Sequence, residues 1–253
     1  MQIWRNRMPG IALRGLAVLL TLVSVGTARA DEAYFLLVFG SQRTPPNPDY
    51  SHSFATFVKA TGEGPCLENP SLEAHTISWL PANRIVRTCA LLPECGHNFD
   101  LHPTLRYVFD SQERVSVWGP YRIEPELYCR ALKQIRLLES GQVRYKAVDA
   151  GHHSDEVSNC IHAISSLAGG YRLRILSPSF GETASYYITE RLSPWILDGG
   201  KTYDWIVYKL GLDAYPLIFR DRQQPPGSGA IRAPISRALG HEREVCPSYG
   251  PRR

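Results

Sequence analysis

The chain has 253 residues, 43% of them hydrophobic and 21% charged, which are ordinary values for a globular protein. Its net charge of +4 comes from the first thirty residues, where Arg5, Arg7, Arg14 and Arg29 face no acid. The remainder carries 24 basic against 24 acidic side chains, which gives no general affinity for nucleic acid or for an anionic surface.

In chain order, residues 1–30 read as a secretory signal peptide. An Arg-bearing leader precedes the apolar run 16–25, too short for a membrane span, and Ala28-Arg29-Ala30 supplies the small-x-small cleavage pattern. Export and cleavage after Ala30 are expected, with an uncleaved anchor as the alternative. Cleavage leaves no stable membrane insertion, because no later apolar run is long enough to span. Residues 31–222 are long enough for one substantial core and short for two, and 223–253 read as a loosely ordered tail.

Within the body, residues 33–39 form a continuous apolar run suited to a strand buried on both faces. Strands are also expected over 52–59, 75–80, 105–109, 114–118 (ending at Gly119-Pro120) and 143–148. A helix is expected over 124–139, with Pro125 in its first turn and Leu127, Ala131, Ile135 and Leu138 as its stripe. A second runs over 158–167 and closes at Gly169-Gly170; 183–192 and 203–210 read as later helices. Strands followed by helices packed against them predict an α+β fold, an antiparallel sheet covered by helices.

Six cysteines, at 66, 89, 95, 129, 160 and 246, follow the leader. In an exported chain they allow up to three disulfides in fifteen pairings; Cys89 and Cys95, with Cys66 near, read as partners in a loop-rich insertion. No Walker loop, dinucleotide-binding turn or G-x-S-x-G elbow is present, and no cofactor is implied.

The stretch 151–167 (GHHSDEVSNCIHAISSL) holds the chemistry. With Ser158 as N-cap, Asn159 and Cys160 fall in the first helical turn, where free N–H groups favour a thiolate and can stabilise an oxyanion. Ser154 or Asp155 as cap would instead move Cys160 into the helix body. A thiol nucleophile needs a base: His52 opens one alternating strand and His75 the next, so one imidazole can act as base and the other orient it.

A histidine on an early strand, a polar residue on the next and Asn-Cys-x-His at a later helix start resemble the circularly permuted branch of the NlpC-type papain-like superfamily. That branch holds lecithin:retinol acyltransferase-like proteins and bacterial amidase-like groups. The resemblance covers roughly residues 33–170, and 118–167 also look like exported bacterial proteins. It implies a permuted papain-like topology, with Cys160 as nucleophile, His52 as base and His75 as its orienting partner. The substrate implied is a peptide or acyl group, with cell-wall peptide as an analogy. Ile161 departs from the pattern, since the acyltransferases carry an acid there, and the loop holding Cys66 is an addition.

Other readings stand beside this one. Cys160 lies on the apolar stripe of its helix and can be a packed or disulfide-bonded residue of a non-catalytic binding or structural domain. A free Cys160 would also leave an odd number of cysteines for pairing, with Cys246 unpaired. His152, His153, Cys160 and His162 could ligate zinc, although their spacing fits no standard zinc pattern. Of the five tryptophans, Trp79, Trp118, Trp195 and Trp205 read as core.

Overall fold

The computed structural model describes residues 31–63, 67–149, 156–170, 173, 181–223 and 225. The leader, Cys66, His152, His153, Ser154, Asp155 and nearly all of the tail, with Cys246, lie outside the described residues.

The fold is α+β, and its main sheet has five strands in the order β3-β2-β1-β6-β9. Strand β1 (Asp31–Gln42) is the central apolar run; it pairs antiparallel with β2 (Ser51–Glu63) and β6 (Arg114–Ile123). Strand β3 (Glu68–Ile77) adds to β2, and β9 (Leu217–Arg220) lies parallel to β6. A smaller sheet, β4 (Trp79–Pro81), β5 (Glu94–Asn98), β7 (Arg144–Tyr145) and β8 (Val157–Ser158), lines up in the order β4-β5-β7-β8.

Alternation along β1 and β2 makes two cores. Leu36, Val38, Ala55 and Phe57 face helices α2 (Pro125–Glu139), α3 (Cys160–Ser165) and α4 (Gly181–Leu192). Phe35, Leu37, Phe39, Phe54 and Val58 face α1 (Leu101–Asp110) and α5 (Asp204–Lys209). A central strand covered on both faces has no polar side to offer, which is why β1 reads as one unbroken apolar run.

Several expectations need correction. Residues 105–109 belong to helix α1, whose buried Leu101, Thr104, Leu105 and Val108 recur at three and four residues, the helical rather than the strand period. Strand β6 does not stop at Gly119-Pro120. Gly119 takes φ +103°, where a Cβ would stand 2.5 Å from the Leu36 carbonyl oxygen, so glycine lets the strand pass a register shift against β1 and continue to Ile123. The 75–80 segment divides at Ser78 between β3 and β4, and the 143–148 segment contributes only two residues to β7. Strand β9 carried no sequence signal that set it apart.

Candidate functional site

Strand β3 ends at Ile77, opposite Ala55, so among the described residues no strand continues β3 beside the first residues of β2 on that side. Ser78 turns the chain into β4, and the Trp79 indole N–H donates to the Ser158 carbonyl oxygen at 3.2 Å. That bond ties the smaller sheet to the segment that delivers Cys160. The open edge of β2 is where Cys160 arrives: the backbone amide of Ser53 lowers the pKa of its thiol, as do the amides of Ile161 and of Cys160 itself.

Helix α3 begins one residue later than a Ser158 cap would place it. Asn159 is the N-cap, its Oδ1 accepting from the His162 backbone N–H at 2.8 Å, so Cys160 is the first helical residue. The Asn159 side-chain amide donates to Asp149 Oδ1 at 3.1 Å and to the Ala147 carbonyl at 3.3 Å. Asp149 Oδ2 lies 2.5 Å from His162 Nδ1, and His162 Nε2 lies 3.0 Å from the Leu173 carbonyl oxygen. Both ring nitrogens face acceptors. The cap, the carboxylate and the imidazole thus clamp the first turn of α3 to the segment after β7.

His52 is 2% exposed. Its Nε2 lies 2.9 Å from Ser78 Oγ, which in turn accepts from Thr104 Oγ1 of α1 at 2.8 Å. Its ring stacks on Phe54 at 5.5 Å, on the α1 side of β2. Nδ1 is buried and has no hydrogen-bond partner among the described residues, so no hydrogen bond joins His52 to Cys160; the residue after His52, Ser53, is the one whose backbone acts on the thiol. Burial alone pulls the imidazole down to about 3. Burial pushes the Cys160 thiol up to about 11, against the three N–H donors, which lower it, and with Asp149 adding to the rise. Both groups rest neutral.

His75 is not brought to His52. On β3 it stands opposite Phe57, five positions along β2 from His52 and roughly 17 Å at strand rise. The odd offset places it on the other face, where Nε2 meets Glu73 Oε1 at 2.8 Å and the ring lies 6.1 Å from Tyr128. The polar residue that touches His52 from the following segment is Ser78. A lone serine between Ile77 and Trp79 was the available signal for it; Ser53 and Asp149 carried none.

Cys89, Cys95, Cys129 and Cys160 are free thiols, so the Cys89–Cys95 bridge expected from spacing is not formed. Among the described residues, no group of three or more His, Cys, Asp or Glu side chains is placed to hold a metal ion. No family model, curated protein or solved structure matches the chain.

Proposed function

We propose that the chain is an exported thiol hydrolase or acyltransferase acting on an amide or ester, with Cys160 as nucleophile and His52 as base. The observation that carries this reading is the pair of commitments at the start of β2. His52 gives Nε2 to Ser78 and keeps a buried Nδ1 with no partner among the described residues, while the backbone amide of the next residue, Ser53, acts on the Cys160 thiol and favours its ionisation. Ser78 takes the orienting role that the family resemblance assigned to His75.

Attack would form the sulfur–carbon bond as the thiol proton passes to His52 Nδ1, once the ring has turned from the α1 face of β2 toward the face that carries α3. The N–H groups of Ser53, Cys160 and Ile161 would oppose the negative charge that develops. The protonated imidazole would then return its proton to the departing amine or alkoxide, leaving a thioester on Cys160. Water or an acceptor hydroxyl completes the transfer. Because both groups rest neutral, the proton moves during attack, with no thiolate formed beforehand. A peptide or acyl substrate follows from this chemistry; cell-wall peptide remains an analogy.

A second reading has an observation of its own. The His52 ring lies on the α1 side, stacked on Phe54, and both ionisable groups are pulled away from charge by burial. A non-catalytic binding or structural domain would have these features.

Iodoacetamide labelling of the folded protein, with peptide mapping, separates the two. The enzyme reading expects Cys160 to alkylate in the folded state and His52→Asn to slow it at least about tenfold at unchanged melting temperature. Alkylation of Cys160 only after unfolding in urea, with His52→Asn inert, would leave the structural reading.

A further inference from the structure

The loop between β4 and β5, residues 82–93, presents two adjacent leucines to solvent: Leu91 is 87% exposed and Leu92 is 79% exposed. The tip is held. The Lys146 ammonium donates to the Leu91 carbonyl oxygen at 2.9 Å and the Arg144 guanidinium to the Pro93 carbonyl at 3.1 Å. Cations from β7 and the residue after it therefore sit at the base of the leucine pair. Ile85, on the same loop, and Val148, two residues beyond Lys146, are also exposed. Arg84 and Arg87 add positive charge to the loop.

The acids nearby are Glu94, which pairs with Arg87 at 3.0 Å, Asp49, which accepts from Thr88, and Glu156, whose carbonyl accepts from the Arg144 N–H. Solvated apolar side chains at a fixed tip cost free energy in water and mark an interaction site. Arg144 and Lys146 form a cationic collar at the backbone of the leucine pair. Leucines that reach past the collar would enter the acyl boundary while the cations remain at phosphate level, which is the layering of an interfacial membrane contact.

We infer that this loop docks the protein on the surface of an anionic phospholipid bilayer. The contact is peripheral; no helix among the described residues is long and apolar enough to cross a membrane. It is independent of the thiol chemistry, and its failure would leave that reading untouched.

Co-sedimentation of the full chain with vesicles of phosphatidylcholine alone, and with phosphatidylglycerol mixed in, tests it. The wild type is expected to bind the mixed vesicles more tightly than the neutral ones. Leu91→Ser/Leu92→Ser should lower binding about tenfold or more at an unchanged melting temperature, since both side chains are exposed. High salt should remove the preference for the anionic lipid. Equal sedimentation of wild type and double variant would overturn the proposal. So would self-association in sedimentation velocity that the double variant abolishes, which would make the tip a contact between copies of the chain.

Discussion

Glu113 and His52 are both buried, and pH acts on them in opposite senses. Burial raises the Glu113 carboxyl from 4.5 to about 7, against the Ser41 hydroxyl, which donates to it at 2.6 Å, and the Arg43 charge. Below pH 4.5 the group is protonated in both folded and unfolded chains. Between 4.5 and 7 unfolding releases its proton, so its contribution to stability falls as pH rises and is lost above about 7. The loss is on the order of 3 kcal/mol. His52, ordinarily near 6.5, is held neutral down to about 3, so the unfolded chain takes up a proton that the folded chain refuses. Its contribution therefore falls as pH drops from 6.5 toward 3. The slopes oppose each other between pH 4.5 and 6.5, and a single variant isolates one of them. Glu113→Gln should gain stability relative to wild type at pH 8 and gain far less at pH 4.5, measured by urea denaturation. An equal difference at both pH values would show that Glu113 ionises in the fold as it does in water.

At the scale of elements, helix α3 is only six residues long and depends on its cap. Asn159→Ala removes the Oδ1 acceptor of the His162 N–H and both amide bonds to Asp149 and Ala147. A loss of about 1–2 kcal/mol in urea denaturation is expected, together with slower modification of Cys160, because the first turn no longer holds the thiol beside the backbone amides that favour its ionisation. Unchanged stability would mean that the clamp is not what fixes the helix start. The helix itself was legible from Ile161, Ile164 and Leu167 and from Gly169-Gly170, since an amphipathic stripe and a glycine stop are local signals. The cap was misread by one residue because Ser158 and Asn159 are both good N-caps, and only the pairing of β7 with β8 decides between them. Helix α1 was misread because Leu105 to Phe109, taken alone, is a short apolar run that fits either period. The buried stripe that settles it begins at Leu101.

Across the whole molecule, one sheet with helices on both faces explains why some of the site could be read in the sequence and some could not. Composition and the unbroken apolar β1 were enough for an α+β fold, and Asn-Cys-x-His was enough to single out Cys160. The partner of His52 was not readable. It depends on where β3 stops, and that is set by Trp79 bonding across to Ser158, a contact between segments 79 residues apart. His75 looked equivalent to a residue beside His52 only if β2 and β3 began in register, whereas the hairpin offsets them by five positions. The same topology puts the Leu91-Leu92 loop after β4 and the Cys160 helix after β8 of one small sheet, β4-β5-β7-β8, so docking and chemistry share a support without sharing residues.

The central claim is that Cys160 is acylated with His52 taking its proton. Incubation of the folded chain with p-nitrophenyl acetate, followed by intact mass and peptide mapping, measures this directly. The account predicts one acetyl group on Cys160, formed about a hundredfold more slowly in His52→Asn and at nearly the wild-type rate in His75→Ala. Acetylation confined to the exposed Cys89, Cys95 and Cys129, or a Cys160 rate that His52→Asn leaves unchanged, would contradict it.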